Sequence, residues 1–290
     1  MDDTIISRTI RKDKHATNVV LNTEGMSIGN YFLDSWTHHL LEQTAQHFRH
    51  NGQQAYLVGG SVRNLLLHEP CTDWDIATGG DAPKLARRLA NALGGFYAHM
   101  HDKASRVIVK HEQQEMTIDV SPISGTSIEA DLHERDFTLN ALAVPLDNMI
   151  QHLTSGDPLA LVDPLHGTDD LVAHLLRAVN DTIFQHDPIR TLRAVRLMAR
   201  YQLTIEPHTA EMLARDASLL KQAAPERVHD ELYAILRPDG ATGRLRFLIN
   251  MAFLPRSSRN LFLLAACASP LCITGMCWNI RWKRSARLSF

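Results

Sequence analysis

A short apolar run, Ala55-Tyr56-Leu57-Val58, stops at Gly59-Gly60 and is followed at once by Ser61-Val62-Arg63. This punctuation constrains the chain more than any other feature. A buried strand ends at the paired glycines, and a helix patterned from Ser61 to Leu67 begins there, broken by Pro70. Glycines let backbone N–H groups approach an oxyanion, a helix start adds partial positive charge, and Arg63 supplies a planar fork. A Gly-Gly turn between strand and helix is common by itself. No Gly-Lys-Ser/Thr follows, so this turn is not a P-loop.

Asp73-Trp74-Asp75 comes about a dozen residues later, on a second strand candidate running to Ala77. On a strand, residues i and i+2 share a face, so both carboxylates project together while Trp74 points the other way. Two acids side by side repel unless a cation lies between them, and hard oxygen donors suit Mg²⁺. An isolated Asp-x-Asp reads as a solvated strand edge; behind a Gly-Gly-Ser turn it reads as a metal-binding pair. Asp119, in Thr117-Ile118-Asp119-Val120, either brings a third carboxylate or is a solvated strand residue.

Around these motifs, apolar spacing predicts a helix from Ser35, as N-cap, to about His50. A second helix opens at Asp81-Ala82-Pro83 and closes at Gly94-Gly95. Strands are expected at 106–110 and 116–120, and a helix over 128–144. Strands and helices mix without strict alternation, which favours α+β over a doubly wound sheet. After about Asp163 strand signals fade, and 191–201, 207–221 and 225–236 each carry helical periodicity. The expected organisation is a leader over 1–34, a head domain over 35–163 and a helical region over 164–255. Residues 256–290 form a basic tail that reads as an arm or as sequence outside the designed fold.

Composition enters as exclusion. Apolar residues make up 44% and charged residues 21%, which excludes a disordered or fibrous chain. The net charge is only −2, so bulk charge does not make a polyanion-coating protein. From Arg237 to Phe290, however, nine Lys/Arg face a single acid, Asp239, leaving the preceding residues at about −10. Such a division suits metals at one end and a phosphate backbone at the other. Cys71 stands alone, and Cys267, Cys272 and Cys277 lack zinc-site spacing. The acidic start Met1-Asp2-Asp3 is no signal peptide, and no 18-residue apolar run occurs, so a cytoplasmic location without membrane contact is expected.

Leu57-Val58-Gly59-Gly60-Ser61-Val62-Arg63 with Asp73-Trp74-Asp75 resembles the head of the class II tRNA nucleotidyltransferases. These are the CCA-adding enzymes and bacterial poly(A) polymerases of the polymerase beta superfamily. Further motifs agree in order: Ile128-Glu129-Ala130-Asp131-Leu132, Arg135-Asp136-Phe137-Thr138-Leu139-Asn140-Ala141, and Asp187-Pro188-Ile189-Arg190-Thr191-Leu192-Arg193-Ala194. Glu226-Arg227-Val228 before Glu231-Leu232 also resembles the family's helical region. The similarity covers roughly residues 53–255.

The resemblance implies a polymerase-beta-like head, a small mixed sheet with flanking helices, followed by an all-helical neck and body. It implies addition of C and A from CTP and ATP to tRNA 3′ ends by two-metal phosphoryl transfer. Asp73, Asp75 and Asp119 would be catalytic, with Asp73 and Asp75 holding Mg²⁺. Gly59, Gly60, Ser61 and Arg63 would hold phosphates, and Arg135 and Asp136 the ribose. Asp187 and Arg190, three apart on one helix face, would read the base; Asn140 and Arg193 fall with the nucleotide-binding set. An i,i+3 surface ion pair is the other reading of Asp187 and Arg190. No general base is needed, so the 16 histidines read as surface or packing residues.

The chain also departs from the family pattern. Asn64 stands where Asp is usual, Glu134 where many members have Arg, His186 where Glu precedes the base reader, and Ser124 where Arg is common. The last 35 residues match none of these motifs, and a shortened chain with an unrelated end is expected. Three other functions share elements of the pattern: a poly(A) polymerase or A-adding enzyme, a non-catalytic RNA-binding remnant, and a small-molecule nucleotidyltransferase. The last would not need Arg135-Asp136-Phe137-Thr138 or the Asp187/Arg190 pair. No protein partner can be read from the sequence.

Overall fold

The computed structural model describes residues 18–21, 34–67, 69, 71–101 and 104–236. The chain divides into two compact units, residues 1–183 with 204–206, and residues 184–203 with 207–290. The basic tail over 256–290 lies outside the described residues.

The first unit is α+β. Its strands are β1 (Asn18–Leu21), β2 (Ala55–Val58), β3 (Asp73–Thr78), β4 (Phe96–His101), β5 (Ala104–His111), β6 (Gln114–Pro122), β7 (Ala143–Pro145) and β8 (Leu159–Val162). They form one mixed sheet in the order β1-β8-β7-β2-β3-β6-β5-β4. Within this sheet, among the described residues, only β3 and β6 pair in parallel, with Asp73 opposite Thr117 and Asp75 opposite Asp119. The β5–β6 hairpin sets Arg106 opposite Asp119.

One face of this sheet is closed by helices α1 (Ser35–His50), α2 (Gly60–Leu66), α3 (Ala82–Ala92) and α5 (Leu146–Ser155). Leu40, Leu41 and Phe48 of α1 and Leu85 and Leu89 of α3 meet Leu57, Trp74, Ile76, Val107 and Ile118 of the strands there. These side chains are 6% exposed or less, and burying each contributes about 1.5–3 kcal/mol. On the other face Tyr56, Val58, Ala77 and Ala143 pack with Ile128 and Leu132 of α4 (Ile128–His133). The strand residues beyond that patch carry the charged groups.

Helix α1 has the expected span, but its N-cap is Asp34, not Ser35: the Asp34 carboxylate accepts from the Thr37 amide at 2.7 Å. A cap side chain must reach the N3 amide, and Asp34 is the residue placed to do so. The leader contributes β1, paired antiparallel with β8. Strands β4 and β8 lie outside the expected strands, and β7 begins within the span expected to be helical.

The expected helix over 128–144 stops at His133. Asp136 Oδ1 accepts from the Phe137 amide at 2.8 Å, Thr138 donates its amide to Arg177 O, and Phe137 bridges to Ala178. The backbone hydrogen bonds a helix would need are thus satisfied elsewhere. A 3-10 turn at Thr138–Asn140 follows, and then β7 joins the sheet beside β2. The same bonds tie residues 164–183 to the first unit, so its boundary falls near Ile183 and not Asp163. Helix α6 (Gly167–Val172) and strand β9 (Leu175–Leu176) therefore belong to it, and β10 (Thr204–Ile205) returns to pair in parallel with β9.

Apart from the one-turn α7 (Ile183–His186), the described second unit consists of α8 (Arg190–Tyr201), α9 (Pro207–Asp216), a 3-10 turn at Ala217–Gln222 and α10 (Pro225–Leu236). The helix expected over 207–221 thus changes to 3-10 geometry after Asp216.

Candidate nucleotide site on the open face of the sheet

The site is built on a lateral row of side chains. Arg106 on β5, Asp119 on β6 and Asp75 on β3 are successive cross-strand partners. Partners in register point to the same side of a sheet, and Trp74 and Ile118 on the alternate positions are buried on the other. Asp73 lies two residues before Asp75 on the same face and is exposed. Asp73 and Asp75 therefore share one open face.

Asp119 is half-buried and engaged. Arg106 Nε and Nη2 donate to its two oxygens at 2.8 and 2.7 Å. The guanidinium pKa is raised first by this bond, then by the charges of Asp119, Asp73 and Asp75, against the penalty of burial. The strand at 106–110 is expected without a role for Arg106; closing a tight hairpin near Gln113 sets it opposite Asp119.

The glycine turn meets the row from the side. Gly59 has φ +69°, and a Cβ added there would fall 2.8 Å from Arg135 Nη1 and 3.8 Å from Asp75 Oδ2. The positive φ favours glycine there, and the absent side chain leaves room for the Arg135 guanidinium. Ser61 is buried: its hydroxyl donates to Asp73 O at 3.0 Å and accepts from the Asp75 amide at 2.9 Å. Cys71 Sγ donates to the same Asp73 carbonyl at 2.9 Å, and burial pushes that thiol pKa up. The turn and the acid strand are thus tied together through one hydroxyl.

Arg63 points inward, only 6% exposed. Its Nη2 donates to Asn64 Oδ1 at 2.9 Å and its Nη1 to Asn140 Oδ1, while Asn140 Nδ2 donates to Asp136 Oδ1 at 3.0 Å. Arg63, Asn140 and Asp136, all expected among the nucleotide-binding residues, form a buried network that braces the wall of the site. Arg135 is held by Asp131, with Nε and Nη2 at 3.0 and 2.8 Å from Asp131 Oδ2. The other oxygen of Asp131 accepts from the Ser124 amide at 2.9 Å, and the Ser124 hydroxyl donates to Glu134. Two departures from the family pattern, Ser124 and Glu134, therefore touch each other.

In the second unit Asp187 lies in the turn before α8, not on the helix: Pro188 disfavours a helical residue before it, and α8 begins at Arg190. The Arg190 amide donates to Asp187 O at 3.0 Å. Arg227, a second residue the sequence reading did not assign, clasps the Asp187 carboxylate at 2.8 and 3.1 Å. Arg193 lines a cavity of about 300 Å³ with Ile189, Arg196, Arg227, Asp230 and Glu231.

Among the described residues no three or more His, Cys, Asp or Glu side chains gather as a metal-binding group. The donor set available to a cation is the Asp73/Asp75 pair. Two hard carboxylates on an open face fit Mg²⁺, which keeps several waters and takes its remaining ligands from phosphate oxygens.

Residues 55–177 match the family described as the poly A polymerase head domain, and residues 202–250 the probable RNA and SrmB-binding site of polymerase A. A CC-adding tRNA nucleotidyltransferase of Geobacter sulfurreducens is 38% identical over 190 residues, 65% of this chain and 41% of that protein. An A-adding tRNA nucleotidyltransferase of Halalkalibacterium halodurans is 32% identical over 223 residues, 69% of this chain and 51% of that protein. The solved Thermotoga maritima CCA-adding enzyme complexed with tRNA aligns with a TM-score of 0.66 at 28% identity, covering 78% of this chain and 53% of that one. A CCA-adding enzyme solved with CTP aligns with a TM-score of 0.65 at 28% identity, covering 76% of this chain and 51% of that one. The chain spans about half the length of these relatives. No described helix is long and apolar enough to cross a membrane.

Proposed function

We propose, from the premise that this chain belongs to the class II tRNA nucleotidyltransferase and bacterial poly(A) polymerase family, that it adds C and A nucleotides from CTP and ATP to tRNA 3′ ends in the cytoplasm. The observation that carries the reading is the shared open face of Asp73 and Asp75 beside the Gly59 turn. The two carboxylates would hold Mg²⁺, which when bound lowers the pKa of the RNA 3′-hydroxyl and offsets the charge of the triphosphate. Attack of that hydroxyl on the α-phosphate forms the phosphodiester and releases pyrophosphate.

The chain's own residues divide the remaining work. Gly59 and Gly60 leave the backbone open to phosphate oxygens, while Ser61 and Arg63 act as struts fixing that turn against β3 and the Thr138–Asn140 turn. Arg135, presented by Asp131, faces the glycine turn and suits a ribose or phosphate oxygen. Asp136 and Asn140 hold the wall behind it. Asp187 accepts from the exocyclic amine of C or A and Arg190 donates to the ring edge. Uracil and guanine would present a carbonyl oxygen to the Asp187 carboxylate, two acceptors facing each other, and so be disfavoured. Arg193 lines the cavity beside Arg227 in the second unit and falls with the nucleotide-binding residues there.

The test is incubation with tRNA lacking its 3′ end and each labelled nucleotide in turn. CTP and ATP are incorporated, UTP and GTP are not, and Asp75→Asn lowers incorporation by about 1,000-fold or more. Incorporation of ATP alone gives the A-adding or poly(A) reading instead. Absence of any incorporation by the intact chain overturns the proposal.

A further inference from the structure

We propose that Arg106 is a positioning residue that keeps the Asp119 carboxylate occupied and so restricts the divalent-cation site to Asp73 and Asp75. The inference deepens the nucleotidyltransferase reading and rests on it. Three carboxylates, Asp73, Asp75 and Asp119, lie on one face of two adjacent parallel strands. Left alone, the laterally paired Asp75 and Asp119 repel each other. Arg106 stands next in the same row and bonds both Asp119 oxygens, at 2.8 and 2.7 Å.

Two parallel charge-assisted bonds fix a carboxylate in angle as well as position. Strand β5 flanks β6 on the side opposite β3, so the clasp draws the Asp119 oxygens toward β5 and away from Asp75. The Arg106 and Asp119 side chains are 36% and 29% exposed, so the pair is partly shielded from solvent. With Asp119 clasped, Asp73 and Asp75 are the two acids of this face that would meet a cation. Without Arg106, Asp119 turns back toward β3 as a third ligand. A third charged ligand binds the ion more tightly and leaves fewer positions for phosphate oxygens.

The experiment titrates the intact protein with Mn²⁺ and follows the free-ion electron paramagnetic resonance signal, without nucleotide or RNA. Asp75→Asn first identifies the site by weakening Mn²⁺ binding. Arg106→Gln then tightens it by about tenfold, and Asp119→Asn in that background returns it to the intact protein's value. Arg106→Lys keeps the charge but lacks the planar fork of two parallel donors, and it tightens binding by about threefold. Unchanged affinity in Arg106→Gln overturns the proposal, as does tightening in Arg106→Gln with none in Arg106→Lys, which marks a simple field effect. If Asp75→Asn leaves Mn²⁺ binding unaltered, the metal reading itself fails and the role of Arg106 falls with it. The two failures are therefore told apart by which variant is silent.

Discussion

Asp216 shows how a single contact sets the behaviour of a residue. It is buried at the end of α9, and Arg215 bonds both its oxygens, at 3.0 and 2.6 Å. That bond holds the carboxyl below its ordinary value, against burial, which opposes it. A depressed folded pKa means the unfolded chain takes up the proton first. The stabilisation is therefore complete above the unfolded value near pH 4 and is lost as pH falls through the folded one. Urea unfolding should show Asp216→Asn clearly less stable than the intact protein at pH 6, with the difference shrinking at pH 3. An equal difference at both values would remove this pair from the acid limb. Asp73 and Asp75 could be paired from sequence because a strand repeats every two residues. Arg106 meets Asp119 across a single hairpin, a pairing local enough to read, whereas Arg227 finds Asp187 forty residues away across helices.

At the scale of elements, hydrogen-bond demand decides where segments end. The apolar residues of 128–144 fit a helical period, yet Asp136 turns the chain out and Thr138 bonds to the strand side of Arg177. Thr138 Oγ1 also donates to Asp170 at 2.7 Å, which accepts from Arg177 Nε at 3.0 Å. Helix α6 sits so close to this turn that a Cβ on Gly167 would fall 2.1 Å from Thr138 O. Gly167→Ala must push backbone from backbone, and the expected loss is about 3 kcal/mol or more, measured by urea unfolding. A loss under about 1 kcal/mol would mean that α6 can slide away from the turn. The glycine is unremarkable in sequence, since its partner lies some thirty residues earlier.

For the whole molecule the governing property is how charge is distributed. Residues 237–290 carry nine Lys/Arg and one acid, while the rest of the chain is acidic. The acid pair that suits a metal lies in the first unit, and the match to an RNA-binding family begins in the second. Each phosphate neutralised by a cationic side chain releases counterions, so affinity falls as salt rises. Replacing Arg281, Lys283, Arg284 and Arg287 together with Gln should lower the slope of log affinity for tRNA against log salt by about 3. Filter binding over a salt series measures it. An unchanged slope would mean that this segment does not contact the RNA backbone.

The amino-acid order alone determined the parts whose physics is local. A strand cut off by Gly59-Gly60, an Asp-x-Asp on one face, a helix from residue 35 to 50 and another from 225 to 236 all follow from periods of 2.0 and 3.6 and from terminator residues. The tertiary structure decided what depends on partners far along the chain. It set β3 beside β6 so that Asp75 and Asp119 share a row, gave Asp187 to Arg227, and carried the first unit on to residue 183. Periodicity reports which way a side chain faces. It does not report what stands opposite, because strand order and helix pairing are settled only when the whole set of buried faces and backbone hydrogen bonds is satisfied together.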